Sequence, residues 1–159
     1  MVTSSSVPPT AIEVFFSYAH RDEDLRDELA KHLRLLERQG IIGGWHDRRM
    51  LPGCEWAGEI DTRVQTAYII LLLVSADFLA SDYCYDIEVK QAMARHGAGA
   101  TRVIPIILRP VDWHSAPFGK IQALPKDGRA VTLWANKDEA FLDIARGIRA
   151  IAEERAADP

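Results

Sequence analysis

A chain of 159 residues is the size of one ordinary domain and can bury a core without staples. At 48% hydrophobic and 26% charged residues it reads as globular and not as a disordered chain. The net charge of −4 has no basic run within it and gives no support to nucleic-acid binding, while Cys54 and Cys84 supply neither a disulfide framework nor metal-ligand spacing.

Residues 1–10, "MVTSSSVPPT", are polar and proline-rich, unlike a signal peptide, and read as a flexible lead-in to a domain over residues 11–155. "IEVFFSY" (12–18) is β-branched and aromatic, a buried first strand. From Asp22 to Gln39, leucines 25, 29, 33 and 36 recur at helical spacing, and Gly40 stops the helix. "IIGGWHD" (41–47) is a weaker second strand, and "RRMLPGCE" (48–55) a loop turning at Pro52-Gly53. Trp56, Ile60 and Val64 mark another helix. "AYIILLLVS" (67–75) is apolar throughout, as a central parallel strand covered on both faces must be, and is too short to span a bilayer. A helix capped by Ser81 or Asp82 follows, with Tyr83, Cys84, Ile87 and Ala94 as its inward stripe, and ends at Gly97. "RVIPIIL" (102–108) is a fourth strand, residues 109–128 form a long loop, and "RAVTLW" (129–134) reads as a fifth strand. A helix from about Asp138 closes the chain, with residues 156–159 a tail or the start of a linker.

This alternation predicts a flavodoxin-like open sheet of five parallel strands in the order 2-1-3-4-5, with helices on both faces. Such sheets bind ligands beyond the carboxyl ends of the strands, where the order reverses, here between the first and third strands. Glu88 borders that crevice. It has no base three or four residues away, so it is either a solvated edge residue or a working carboxylate. Other chemistries fail. No glycine-rich phosphate loop follows the first strand, and there is no G-x-S-x-G nucleophile elbow. A phosphoacceptor receiver would need acids after the first strand and at the end of the third, where "SYAH" and "LLVS" stand. The five histidines show no ligand spacing, and His32 and His96 read as solvated or capping residues on helices.

Four segments, "VFFSYAHRDEDL", "GWHDRRMLPGCEWAGEI", "AYIILLLVSADFLASDYCYDIE" and "VIPIILRPVDW", resemble the successive signature boxes of the Toll/interleukin-receptor (TIR) domain in its bacterial form. The resemblance runs from about Ile12 to Ile151. It implies an NAD glycohydrolase that releases nicotinamide and ADP-ribose or a cyclised variant. NAD is then the substrate, with no cofactor and no metal. It implies that Glu88 is the catalytic carboxylate, with Cys84 where enzymatic members often carry tryptophan. The implied cleft takes Ser17, Tyr18, Ala19, His20 and Arg21 from the first strand's end. Asp47 and Arg48 enter from the next loop, and Ser75, Tyr83 and Cys84 from the third strand's side. Arg48, Arg49, Met50, Leu51, Pro52 and Gly53 form the BB loop, through which family members self-associate, and an acidic patch among Asp22, Glu23 and Asp24 is a docking partner for its arginines. The expected setting is cytoplasmic, off the membrane, with a fused or associated sensor domain and a role in antiphage defence or signalling. The alternative from another class is a non-catalytic adaptor that assembles with other TIR domains.

Overall fold

The computed structural model describes residues 11–46 and 66–157. The BB loop, the helix expected around Trp56, Ile60 and Val64, and the segments at 1–10 and 158–159 lie outside the described residues. Four strands form one parallel sheet in the order β2-β1-β3-β4: β1 (Ile12–Ser17), β2 (Ile42–His46), β3 (Ile69–Val74) and β4 (Arg102–Ile107). Ser17 pairs with Leu72, and Val74 with Ile107, so the carboxyl ends of the three adjacent strands finish close to one level.

Strand alternation sorts the core into two layers. Val14, Phe16 and Tyr18 face α1 (Glu23–His32), α2 (Arg34–Arg38) and the long closing helix α5 (Lys137–Ala157), packing among Leu29, Leu33, Phe141 and Ile144. Phe15, Leu72 and Val74 face the other way, toward α3 (Ala76–Ala80), a wide π-helical turn at Tyr83–Val89 and α4 (Lys90–Gly97). β3 is buried at every position, as its unbroken apolar run requires. The long loop after β4 belongs to this second layer: Trp113 and Phe118 are buried in it, and Phe118 meets Phe78 edge to face at 6.4 Å.

The expected fifth strand is not formed. Beside β4 the chain makes one parallel bridge, Leu124 to Ile106, with the Leu124 N–H donating to Pro105 O and its carbonyl accepting from Ile107 N. The ladder cannot continue, because Pro125 has no N–H and the Lys126 N–H donates to the Asp143 carboxylate at 2.7 Å. Asp127 and Gly128, at φ 62° and 66°, then turn the chain away. Residues 131–133 form a 3-10 turn that buries Val131 and leaves Leu133 exposed. The helix expected as one piece from Asp22 to Gln39 is a 3-10 turn followed by α1 and α2, which meet at Leu33.

Candidate active site

The end of β1 faces the π-helical turn. Ser81 caps that turn as expected, its Oγ accepting from Cys84 N at 3.1 Å. The inward stripe differs from the 3.6-residue count. Cys84, Glu88 and Ala92 are buried, while Ala94 is exposed and Ile87 half-buried. A π turn carries more residues per turn than an α-helix. A stripe counted at α-helical pitch therefore drifts off the buried face, and Glu88 lies within that face rather than one step beside it.

Glu88 is 2% exposed, so its carboxylate requires hydrogen-bond partners. Ser17 supplies one: its Oγ donates to Glu88 Oε1 at 2.5 Å. Alternation puts the side chain of Ser17 on the same sheet face as Phe15, which is the face the π turn covers. One residue on, the Tyr18 carbonyl accepts from Cys84 Sγ at 3.3 Å. Two adjacent residues at the end of β1 thus hold two residues spaced by four on the turn, and the carboxylate is fixed at the carboxyl edge of the sheet, beside the place where the strand order reverses.

A second polar cluster stands at the same edge. Asp22 is fully buried. One carboxylate oxygen accepts from Ser75 Oγ, and the other from Arg109 Nε at 2.8 Å. Ser75 also caps α3, its Oγ accepting from Phe78 N. These bonds tie the turn after β1, the end of β3 and the start of the loop after β4. The sequence reading missed both Asp22 and Arg109 as site residues. Asp22 stands in an acidic run that looks like a solvated face, and the docking patch expected there loses its first member because Asp22 is buried and paired. The only available signal for Arg109 is its place directly after an apolar strand run.

The remaining expected cleft residues divide. Ala19 is buried, and Tyr18 is a core residue on the opposite face, its hydroxyl accepting from Arg26 Nη1 with the guanidinium 4.7 Å over its ring. Tyr18 and Cys84 are buried as Glu88 is, so all three are covered in this conformation. His20 and Arg21 stand on the open rim, with His20 Nδ1 3.7 Å from Glu23 and Arg21 Nε 3.8 Å from Asp77. Tyr83 belongs to the π turn by its backbone, and Asp47 to Gly53 lie outside the described residues. His96 ties its helix to β4, its Nδ1 accepting from Val103 N, and His32 stacks on Phe141 at 5.5 Å.

A family model for the TIR domain matches residues 14–144. The chain belongs to the TIR domain family. This TIR domain is 58% identical over 139 residues to y4lF of Sinorhizobium fredii, a match spanning 87% of this chain and 43% of that protein. It is 27% identical over 141 residues to human Toll-like receptor 6, spanning 80% of this chain and 17% of the receptor. The chain therefore spans less than half the length of the curated relatives it matches. The TIR domain of a Toll-related receptor from Hydra magnipapillata superposes with a TM-score of 0.57 at 22% identity, covering 87% of this chain and 99% of that one. That likeness speaks to the fold. Among the described residues, no helix of this TIR domain is long and apolar enough to cross a membrane.

Proposed function

We propose that this TIR domain is an NAD glycohydrolase whose catalytic carboxylate is Glu88. One observation carries the reading: Ser17 at the end of β1 donates to the Glu88 carboxylate at the carboxyl edge of the sheet, beside the switch point between β1 and β3. The bond from nicotinamide nitrogen to ribose C1′ breaks with its electron pair leaving on nicotinamide. The ribose passes through an oxocarbenium-like state, which a neighbouring carboxylate stabilises or positions through a ribose hydroxyl. Nicotinamide leaves as a neutral molecule from a cationic one, so no general acid has to protonate it and a single carboxylate suffices. Water adds at C1′ to give ADP-ribose and a proton, or a nucleophile within the same nucleotide adds to give a cyclic product.

The second reading is an adaptor that assembles with other TIR domains without catalysis. The burial of Glu88 favours it, since a carboxylate 2% exposed is covered in this conformation. The two readings meet if self-association through the BB loop uncovers the acid, and that order of events is part of the proposal, as are a sensor domain and a signalling or defence role.

The test is nicotinamide release from NAD by the purified chain, dilute and under crowding or clustering. Release that rises more than linearly with protein concentration and vanishes in Glu88→Gln supports the glycohydrolase. No release at any concentration from a protein that self-associates supports the adaptor.

A further inference from the structure

We propose that Arg109, held edge-on by buried Asp22 and assisted by Arg21, forms a phosphate-binding subsite of the crevice, fitted to the diphosphate of a dinucleotide. The inference rests on the nucleotide chemistry proposed above. Two arginines stand at the carboxyl edge: Arg109 donates to a carboxylate through Nε, and the exposed Arg21 lies near a second one without a hydrogen bond to it. Arg109 Nε is 2.8 Å from Asp22 Oδ1, and Arg21 Nε is 3.8 Å from Asp77 Oδ2. The two acids are linked through one short stretch of chain, because Asp22 accepts from Ser75 and Asp77 lies two residues beyond it.

A guanidinium engaged through Nε keeps the N–H groups of both terminal nitrogens for another acceptor. Among the described residues, those of Arg109 and Arg21 have no protein partner. The Arg109 side chain is 42% exposed although its acid is fully buried, so the pair is sealed on the Asp22 side and open on the other. Charge neutralisation of Asp22 explains one edge of Arg109. It does not explain why the rest of the guanidinium, on the loop after β4, stays partly open where it reaches the turn after β1. A planar fork with a fixed orientation suits a phosphate group, which accepts two parallel N–H bonds. The two carboxylates balance the two arginines, so recognition comes from oriented hydrogen bonds more than from net charge. Lysine at 109 would keep the charge and lose the fork.

The experiment is calorimetric titration of the whole chain with ADP-ribose, with inorganic diphosphate as the minimal probe and ribose as the probe lacking phosphate. ADP-ribose and diphosphate should bind, and ribose should not. Arg109→Gln should weaken both ligands on the order of tenfold or more, the scale of a lost hydrogen bond to a charged group. Arg109→Lys, which keeps a cation beside Asp22, covers the case in which the glutamine variant does not fold; it should weaken both ligands while its melting temperature holds. Arg21→Gln should weaken them less. Wild-type protein that binds neither ADP-ribose nor diphosphate, or a folded Arg109→Lys protein that binds them as well as wild type, overturns the subsite. Nicotinamide release is scored separately. Turnover without Arg109-dependent binding sinks the subsite alone, and Arg109-dependent binding without turnover sinks the glycohydrolase alone.

Discussion

The two ends of the sheet satisfy their buried polar groups in different ways. At the amino edge, side chains go to backbone carbonyls. Thr101 Oγ1 donates to Ala67 O at 2.9 Å and to Tyr68 O at 2.6 Å, and Arg95 Nη1 donates to Ala67 O at 2.9 Å. At the carboxyl edge, where Cys84 also reaches the Tyr18 carbonyl, most of these bonds join side chains far apart in sequence. Ser17 and Glu88 are 71 positions apart, Asp22 and Ser75 are 53 apart, and Asp22 and Arg109 are 87 apart. A backbone carbonyl is present whatever residue carries it, so the amino-edge bonds constrain one residue each. A bond between two side chains constrains both. That contrast agrees with the proposal that the carboxyl edge is the working end and the amino edge fastening.

The largest break in the comparison should come from Glu88. Glu88→Ala is expected to lower NAD cleavage by about two orders of magnitude or more, the scale of a key electrostatic group. Glu88→Gln, which leaves an acceptor for Ser17, should lose as much activity at less cost to the fold. A folded Glu88→Gln protein with wild-type nicotinamide release would end the assignment. Next in size is Ser17→Ala. It frees one carboxylate oxygen from its donor, and kcat is expected to fall about tenfold, as when one hydrogen bond to a charged group is lost. KM should hold, and Ser17→Thr should restore part of the rate by returning a hydroxyl. If KM rises while kcat stays level, Ser17 binds substrate rather than holding Glu88.

Most of what the sequence discloses about this molecule is local. The strands at Ile12–Ser17 and Ile69–Val74 are legible because an apolar β-branched run has little choice but to be covered. The run at 129–134 has the same composition and is no strand, because what decides it lies before it: Pro125 without a donor, Lys126 N–H taken by Asp143, and two residues at positive φ. Glu88 is found by topology, through its place beside the switch point, although the stripe around it is miscounted where the helix widens. Its partner Ser17 is not legible as a partner, since no spacing rule joins residues on different elements. Asp22 is read as solvent-exposed for the same reason, its arginine being on the far side of the sheet order.

At the amino edge the same kind of substitution should move stability and leave chemistry alone. Thr101→Val keeps the shape and removes the hydroxyl that bridges Ala67 and Tyr68. It is expected to cost about 1 kcal/mol, or roughly 2–4 °C in Tm for a domain of this size. The kcat and KM for NAD should match wild type. A tenfold loss of kcat in a folded Thr101→Val protein would erase the distinction between the two edges.

The smallest effect belongs to Arg95, which spans the same edge from Ala67 O to Ala100 O. Desolvation holds its pKa below the usual arginine value. A base whose folded-state pKa is lowered destabilises the fold while it is protonated in both states, and that penalty is relieved only as pH rises through the folded value toward the unfolded one. An arginine stays protonated in both states near neutrality, so Arg95 contributes no slope there. Arg95→Gln is therefore expected to change stability by less than about 1 kcal/mol, since a partly exposed cation on backbone oxygens gains little over its hydration. The difference from wild type should be the same at about pH 5 and about pH 9, measured by denaturant unfolding at each. A difference that grows or shrinks across that interval would mean that the substitution reaches an ionisable group other than Arg95, and the amino edge would then carry a linkage of its own.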